Sequence, residues 1–265
     1  MDLKLGREKL RDISTILFDL DNTLIDTRGI ALRACKEVSR YLYENGMRDI
    51  AAEMSTKKFF EHLCKMPEDP GPTQMDVDQW RTLLWVQALG PKYQFFARDA
   101  YDIFKAKTMS NFKLSRDVES MLLDLKKHYK LGLITNGSSE AQWAKVESID
   151  GKQYFDVILV GGDYNQGKPH ATIFEKAFQV LDVSPKDCIM VGDNIWSDIY
   201  GGIQAGVMAT VWIVRNEDGY QDLDYQPDYK LRNVCELLDL LPAQGRFSGL
   251  CAKRAFEFYS SVYSS

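Results

Sequence analysis

The chain has 265 residues, 45% of them hydrophobic, and a formal net charge of −5, which is typical of a globular protein with a substantial core. The negative charge argues against non-specific binding to nucleic acid, so a phosphate group would have to be held by a local site. The sequence shows no apolar run typical of a secretory signal or a membrane span, and its five scattered cysteines lack a CxxC pair. We therefore expect a cytoplasmic protein with reduced thiols that binds neither nucleic acid nor membrane.

The first predicted element is a short buried strand that ends in two aspartates. Residues 15–18 are apolar or favour strand structure, and Asp19 and Asp21 follow directly. We predict that the chain leaves the sheet at Asp19. This is the carboxyl end of the strand, which is where open α/β sheets bind their ligands.

A long helical segment is predicted between this strand and the next. Helical patterns cover residues 29–46, 50–66, 78–89 and 93–109. Gly90 and Pro91 mark a break, and no parallel-strand pattern is found over residues 29–111. The prediction is an inserted helical-bundle domain at residues 28–111, with residues 1–27 and 112–265 forming one discontinuous α/β core.

Strands and helices alternate along the rest of the chain. Strands are predicted at residues 131–135, 155–160, 188–191, 210–213 and 228–231. Helices are predicted at residues 117–128, 138–148, 171–181, 196–205 and 234–241. This alternation indicates right-handed βαβ units, and therefore a Rossmann-like parallel sheet with helices on both faces. Residues 242–265 show only a weak pattern and are expected to be peripheral or partly disordered.

Polar side chains follow the ends of the predicted core strands. Thr135, Asn136 and Gly137 follow one strand, and Asp193 follows another, with Asp198 five residues later. Lys168 precedes Pro169, which fixes the lysine at the start of a helix. Because the carboxyl ends of parallel strands share one edge of the sheet, these groups should come together.

The chemistry that suits this set is phosphoryl transfer with Mg²⁺, since clustered carboxylates form a hard oxygen site. Asp19, Asp193 and Asp198 with a phosphate dianion carry about −5, whereas Mg²⁺ and Lys168 return about +3. The Thr135 hydroxyl and the amides of Asn136 and Gly137 can offset the remaining charge. The sequence therefore predicts a phosphate site in which backbone dipoles supplement one lysine and one metal ion.

The two aspartates of the first strand can take different roles. Asp19, at the end of a rigid strand, can attack phosphorus as a nucleophile. Asp21 can give a proton to the leaving alcohol and then take one from the attacking water. Asp26 and Asp163 are interpreted as turn or cap residues.

Together these motifs resemble the four signature motifs of the haloacid dehalogenase superfamily. The motifs are Asp19-Leu20-Asp21-Asn22-Thr23, Thr135-Asn136-Gly137, Lys168-Pro169, and Gly192-Asp193 with Asp198. The resemblance implies that Asp19 forms an aspartyl phosphate and that Asp21 is the general acid/base. It also implies that Asp19, the main-chain carbonyl of Asp21 and Asp193 bind Mg²⁺, with Asp198 supporting the metal site. Thr135 and Lys168 would hold the phosphoryl group, and the helical insertion would be a C1 cap over a small soluble substrate.

Several functional alternatives remain within this family. Hydrolytic dehalogenases generally lack the second aspartate of the first motif, so Asp21 favours a phosphatase, whereas a phosphomutase uses the same pair. The runs at residues 18–27, 133–137, 160–162 and 205–213 are similar to a subgroup that removes phosphate from a sialic acid precursor. The prediction is thus a phosphatase for a sugar phosphate. Another small phosphorylated metabolite, or a binding or regulatory protein that has lost activity, is the alternative.

Overall fold

The computed structural model describes residues 10–65, 75–214 and 224–242. These residues form two compact units. One is an α/β unit built from the described residues up to Ile25 and from Leu114 onward, and the other is a helical unit, Asp26–Lys113. The predictions for residues 243–265 lie outside the described part of the chain.

The α/β unit contains a parallel sheet. Its strands are β1 (Thr15–Phe18), β2 (Lys130–Thr135), β3 (Val157–Val160), β4 (Cys188–Gly192), β5 (Ala209–Ile213) and β6 (Tyr229–Leu231). The described residues give a six-stranded order β3-β2-β1-β4-β5-β6, with every neighbouring pair parallel. The prediction of a Rossmann-like parallel sheet flanked by helices is confirmed.

Strand β1 lies in the middle of this sheet, and its four residues are all buried. Phe18, its last residue, pairs with Leu133 of β2 and with Val191 of β4. The residues that follow β1, β2 and β4 therefore lie side by side at one edge. This position in the sheet explains the apolar composition of β1, because a central parallel strand is covered on both faces.

Three of the helices described in the α/β unit lie close to their predicted ranges, and the last two are shorter than predicted. They are α5 (Arg116–Leu125), α6 (Ser139–Ser148), α7 (Ala171–Leu181), α8 (Gly201–Ala205) and α9 (Leu237–Leu240), with shorter 3₁₀ turns between them. Helix α7 buries five apolar residues on one face. This is the arrangement expected of a helix that packs on a sheet.

The prediction of one regular helix over residues 196–205 was wrong in its first half. Residues Ile195–Tyr200 form a π-helical turn, and α8 follows it. The Asn194 side chain accepts hydrogen bonds from the amides of Trp196 and Ser197, both at 3.0 Å. The main-chain carbonyl of Asn194 accepts a hydrogen bond from the amide of Ile199, five residues ahead, at 3.3 Å. Because π turns often occur at functional sites, this departure points to the loop that carries Asp193.

The helical unit is a bundle of α1 (Thr27–Glu44), α2 (Asp49–Lys65), α3 (Val77–Tyr93) and α4 (Ala97–Met109). Its core contains a stack of Phe59 on Trp85, with ring centroids 3.8 Å apart. The expected break at Gly90 is a kink within α3, because Gly90 has a φ of 68° inside a segment that continues to Tyr93. Glycine tolerates this left-handed backbone, which would strain other residues. That this unit acts as a cap stays a prediction.

Across the part of the chain described here, every helix is too short or too polar to cross a membrane.

Candidate active site

The site begins where β1 ends. The amide of Asp19 donates to the carbonyl of Val191 at 2.9 Å, so Asp19 is still attached to the sheet. The chain then turns sharply, and Asn22 adopts a φ of 61°, a left-handed conformation that asparagine tolerates better than most residues. The hydroxyl of Thr23 donates to Asp19 Oδ2 at 3.1 Å. The turn therefore brings a hydrogen-bond donor to the Asp19 carboxylate.

Lys168 joins two buried carboxylates. Its Nζ lies 2.7 Å from Asp19 Oδ1 and 2.7 Å from Asp198 Oδ1. The side chain of Lys168 is 1% exposed, and those of Asp19 and Asp198 are 9% and 0% exposed. Burial lowers the pKa of Lys168, but the charges of Asp19 and Asp198 overcome this effect and raise its pKa above the ordinary value. Lys168 is therefore a cation held inside the protein.

The position of Lys168 is fixed through its backbone by Asn136. The Asn136 side-chain amide donates to the Lys168 carbonyl at 2.7 Å and accepts from the Lys168 amide at 2.9 Å. This pair of bonds imitates the exchange between two adjacent strands. Glycine is needed at position 167, because a Cβ there would lie 2.5 Å from Asn136 Oδ1. Although Asn136 was predicted to contribute to phosphate binding, its side chain holds the lysine, and its backbone amide remains the candidate for phosphate.

The carboxylates of Asp19, Asp193 and Asp198 form an acidic cluster, with one oxygen of each lying within 4.8 Å of the others. Both oxygens of Asp198 have protein partners. Oδ1 contacts Lys168, and Oδ2 accepts from the amide of Asn194 at 2.9 Å. Asp193 is half-buried, and its carbonyl accepts from Trp212 Nε1 at 2.8 Å. This set of oxygen donors fits a hard divalent cation such as Mg²⁺.

The buried cluster changes the proton affinity of Asp19. Burial raises the pKa of Asp19 from 3.8 to about 7, Lys168 opposes this, and the charges of Asp198 and Asp21 add to it. Asp19 is consequently more costly to ionise in the folded chain than in the unfolded chain.

We expect Asp19→Asn to stabilise the fold at pH 8 but not at pH 4. The folded-state pKa lies above the unfolded one, so the cost of the charge is absent below about pH 4 and complete above about pH 7. The shift limits the gain to about 4 kcal/mol, and we expect about 1–2 kcal/mol because Lys168 loses one of two partners. Urea unfolding with a metal chelator present measures this difference, and an equal gain at both pH values would contradict it.

Asp21 lies in a separate set of contacts from Asp19. Lys145 Nζ is 2.8 Å from both carboxylate oxygens of Asp21, and Gln142 Nε2 donates to Asp21 Oδ2 at 2.7 Å. Gln142 Nε2 also donates to the carbonyl of Asn136. Both partners of Asp21 lie on one face of α6, three residues apart. The two aspartates of the first motif are therefore held by different lysines.

Sequence reasoning missed Gln142 and Lys145. The signal was a polar pair at helical i, i+3 spacing directly after the Thr135-Asn136-Gly137 motif, on a helix whose buried residues include both of them. Buried glutamine and lysine side chains are uncommon unless they have partners. The pair could have been found by asking why the face of α6 expected to pack inward is polar.

The remaining phosphate candidates lie at the end of β2. Thr135 is its last residue and is fully buried, with its hydroxyl 3.4 Å from the carbonyl of Asn136. Gly137 has a φ of 122°, which glycine adopts without strain. Because β2 neighbours β1, these residues lie beside the turn that carries Asp19 and Asp21.

Two further aspartates have structural roles, as predicted. Asp26 caps α1 by accepting from the amide of Gly29 at 3.2 Å. Asp163 accepts from Trp143 Nε1 at 2.8 Å.

Comparisons with known proteins identify the family of this chain. Residues 16–212 match the family model of the haloacid dehalogenase-like hydrolases. The chain is 35% identical to N-acylneuraminate-9-phosphatase of Homo sapiens over 239 residues, covering 88% of this chain and 95% of that protein. It is 32% identical to glyceraldehyde 3-phosphate phosphatase of Pyrococcus furiosus, covering 88% and 94%. The magnesium-bound hydrolase YfnB of Bacillus subtilis has a similar fold, with a TM-score of 0.65 at 21% identity over 87% of this chain and 99% of that one.

Proposed function

The chain belongs to the haloacid dehalogenase-like hydrolases and has named phosphatases among its relatives, and from this we propose a Mg²⁺-dependent phosphomonoesterase that works through an aspartyl phosphate. The observation that carries the proposal is the separation of the two aspartates. Asp19 lies in a buried cluster with Lys168 and Asp198, whereas Asp21 is held apart by Lys145 and Gln142. Two carboxyl groups in different environments can perform two different roles.

In the first step, Asp19 acts as the nucleophile. A carboxylate oxygen of Asp19 forms a bond to phosphorus while the bond from phosphorus to the leaving oxygen breaks. The electron pair of that bond goes to the leaving oxygen, which takes a proton from the carboxyl group of Asp21. The bonds from the Asp19 amide to Val191 and from Thr23 to Asp19 Oδ2 limit the movement of the nucleophile.

In the second step, water replaces Asp19 on phosphorus. Asp21 takes a proton from the water while the water oxygen forms a bond to phosphorus. The bond between phosphorus and the Asp19 oxygen breaks, and its electron pair returns to Asp19. Asp21 then carries the proton needed for the next first step. One residue thus acts as acid and then as base, so its orientation matters in both steps.

The proposed metal ligands are the carboxylates of Asp19 and Asp193 and the main-chain carbonyl of Asp21. Asp198 supports the site from its contacts with Lys168 and Asn194. When bound, Mg²⁺ would reduce the repulsion between the nucleophile and the phosphate oxygens. A requirement for positive charge is consistent with the composition of this cluster, because it contains three carboxylates, of which two pair with Lys168.

The phosphoryl group is proposed to be held by Lys168, the Thr135 hydroxyl and the backbone amides of Asn136 and Gly137. Amides at the end of a strand can approach phosphate oxygens closely, and they supply partial positive charge without titrating. The Asn136 side chain contributes indirectly, because it fixes the backbone of Lys168.

For the substrate, we propose a small sugar phosphate, with N-acylneuraminate 9-phosphate as the specific candidate. This is supported by the 35% identity to the human enzyme of that name across most of both chains. The helical unit is proposed to be the C1 cap that selects the substrate. Another small phosphorylated metabolite remains the alternative, since a relative at 32% identity acts on glyceraldehyde 3-phosphate. A silent binding protein is less consistent with a site that contains every residue the two steps need.

A phosphatase screen tests this proposal. We expect phosphate release from N-acetylneuraminate 9-phosphate with a kcat/KM at least about 100-fold above that for 4-nitrophenyl phosphate, because specific contacts add transition-state binding at about tenfold per 1.4 kcal/mol. The assay measures released phosphate with Mg²⁺ and then with excess chelator, which should remove activity.

The control is Asp19→Asn, purified in the same way, which reveals any contaminating phosphatase. If N-acetylneuraminate 9-phosphate is hydrolysed no faster than unrelated esters, the substrate proposal is wrong while the reaction class stands. If no phosphate ester is hydrolysed, the reaction class is wrong as well.

A further inference from the structure

We propose that Gln142 and Lys145 are positioning residues that set the orientation of the Asp21 carboxyl group for proton transfer. The inference rests on the proposed function, since it assumes that Asp21 is the acid and base of a phosphatase. It concerns two residues of α6 that no sequence motif had singled out. Neither residue is proposed to touch the substrate.

Gln142 and Lys145 together contact both oxygens of the Asp21 carboxylate. Lys145 Nζ lies 2.8 Å from Oδ1 and 2.8 Å from Oδ2, and so it faces the carboxylate symmetrically. Gln142 Nε2 lies 2.7 Å from Oδ2 alone. Two donors from one helix face therefore fix both the position of the carboxylate and its rotation about the bond to Cβ.

The amide of Gln142 is itself oriented by two acceptors. Its Nε2 donates to Asp21 and to the carbonyl of Asn136, while its Oε1 is buried without a hydrogen-bond partner among the described residues. A buried unpaired carbonyl costs stability. The orientation of the Gln142 side chain is therefore explained by the two hydrogen bonds that Nε2 donates and not by the contacts of Oε1.

The buried contacts of Gln142 and Lys145 with Asp21 are not explained by a gain in folding stability. Gln142 is fully buried, and the side chain of Lys145 is 8% exposed and that of Asp21 18%. Ion pairs in such surroundings add little net stability, because desolvation offsets their attraction. A role in geometry accounts for them better, since together they contact both oxygens of the Asp21 carboxylate.

Orientation should affect the two steps to different extents for different substrates. A nitrophenolate leaves without a proton, so formation of the phosphoenzyme from 4-nitrophenyl phosphate does not depend on Asp21. An alkyl phosphate needs the proton in the first step. Hydrolysis of the phosphoenzyme needs Asp21 as a base whichever substrate formed it. Misplacing the carboxyl group by about 1 Å can cost about 100-fold in rate.

The test compares Lys145→Met with Lys145→Arg in the full-length protein, using stopped-flow and acid-quench kinetics with Mg²⁺. For Lys145→Met, we expect kcat for an alkyl phosphate to fall about 10- to 100-fold. The rate of phosphoenzyme formation from 4-nitrophenyl phosphate should stay within about twofold, and trapped phosphoenzyme should accumulate. Lys145→Arg should regain part of the lost rate, because the guanidinium keeps the positive charge and can donate to both carboxylate oxygens. Gln142→Leu should show the same pattern with a smaller loss.

Lys127→Met is the matched control. Lys127 also pairs with an aspartate, Asp124 at 2.6 Å, but its side chain is 65% exposed. This variant should behave as the wild type does. Lys145→Met leaves the Asp21 carboxylate partly buried without its cation, which could disturb the fold. A double variant that also carries Asp21→Asn removes this unpaired charge and controls for misfolding. In the Asp21→Asn background, Lys145→Met should lower the rate by less than about twofold.

The outcomes separate the inference from the function that it assumes. If the wild type forms no phosphoenzyme, the proposed function fails and the inference fails with it. If the wild type forms it, and Lys145→Met slows both substrates and both steps equally, then Lys145 is structural and only the inference is wrong. An undiminished effect in the Asp21→Asn background would also overturn the inference, because the lysine would then act independently of Asp21.

Discussion

Asp19→Asn is expected to abolish turnover while leaving a folded protein. The change removes the attacking oxygen but preserves the shape of the side chain, and losing a nucleophile typically lowers kcat on the order of 10⁴–10⁶-fold. Acid-quench experiments with a labelled phosphate ester should trap phosphoenzyme in the wild type and none in this variant. Because Asp19→Asn is expected to raise the unfolding free energy at pH 8, loss of activity in this variant would not result from unfolding.

Asp163→Asn is the matched control for this experiment. Asp163 is also an aspartate at the sheet edge, in the turn after β3, but it contacts Trp143 and lies outside the acidic cluster. We expect it to keep nearly full activity. If Asp19→Asn retained more than about 1% of wild-type turnover, a covalent mechanism through this residue would be wrong, since the remaining rate would exceed what the other groups supply alone.

Lys168→Met should lower both stability and activity. The variant leaves Asp19 and Asp198 buried next to each other without the cation that lies 2.7 Å from each. Removing one partner of a buried ion cluster costs about 3–5 kcal/mol in unfolding free energy. Activity should fall by at least about 10²–10³-fold, because a preorganised positive charge near the phosphoryl oxygens is lost. Urea unfolding at pH 8 and steady-state kinetics measure the two effects.

A second substitution distinguishes the two causes. Lys168→Met with Asp198→Asn removes the repulsion between the carboxylates, so the unfolding free energy should recover in part while activity remains lost. Lys186→Met, at an exposed position, is the control and should change neither property. Full activity in a folded Lys168→Met variant would exclude a role for this lysine in phosphate binding.

The fold could be predicted largely from the sequence because its signals are local and repeated. β1 and β4 are central parallel strands, so each is an unbroken apolar run that ends in polar residues. Helix α7 was predicted with its observed bounds because its apolar face follows the helical period. The polar strand ends could then be assigned to one edge, because parallel strands share a direction.

The parts that could not be predicted depend on partners distant in sequence. Lys145 contacts Asp21, which lies 124 residues away. The polar face of α6 indicates that Lys145 has a buried partner, but the local pattern does not identify Asp21 as that partner. The first turn after Asn194 departs from a regular helix, because the main-chain carbonyl of Asn194 accepts from the amide of Ile199 as well as from that of Asp198, and the sequence period does not indicate this. The substrate is the least accessible property, because none of the sequence motifs lies in the helical unit that we propose as the cap.

The central position of β1 also has a consequence for how the protein acquires activity as it folds. Thr15 pairs with Lys130 on one side and with Cys188 on the other. Both strands that pair with β1 are therefore synthesised much later than β1 itself. Pairings between residues so far apart in sequence form slowly, because a large loop must close first, whereas the bundle between β1 and β2 can fold through nearby contacts. Lys168 reaches Asp19 across 149 residues. Until the middle of the sheet is complete, the two charges stay in water, and a nascent chain with most of its helices formed has no phosphatase chemistry at all.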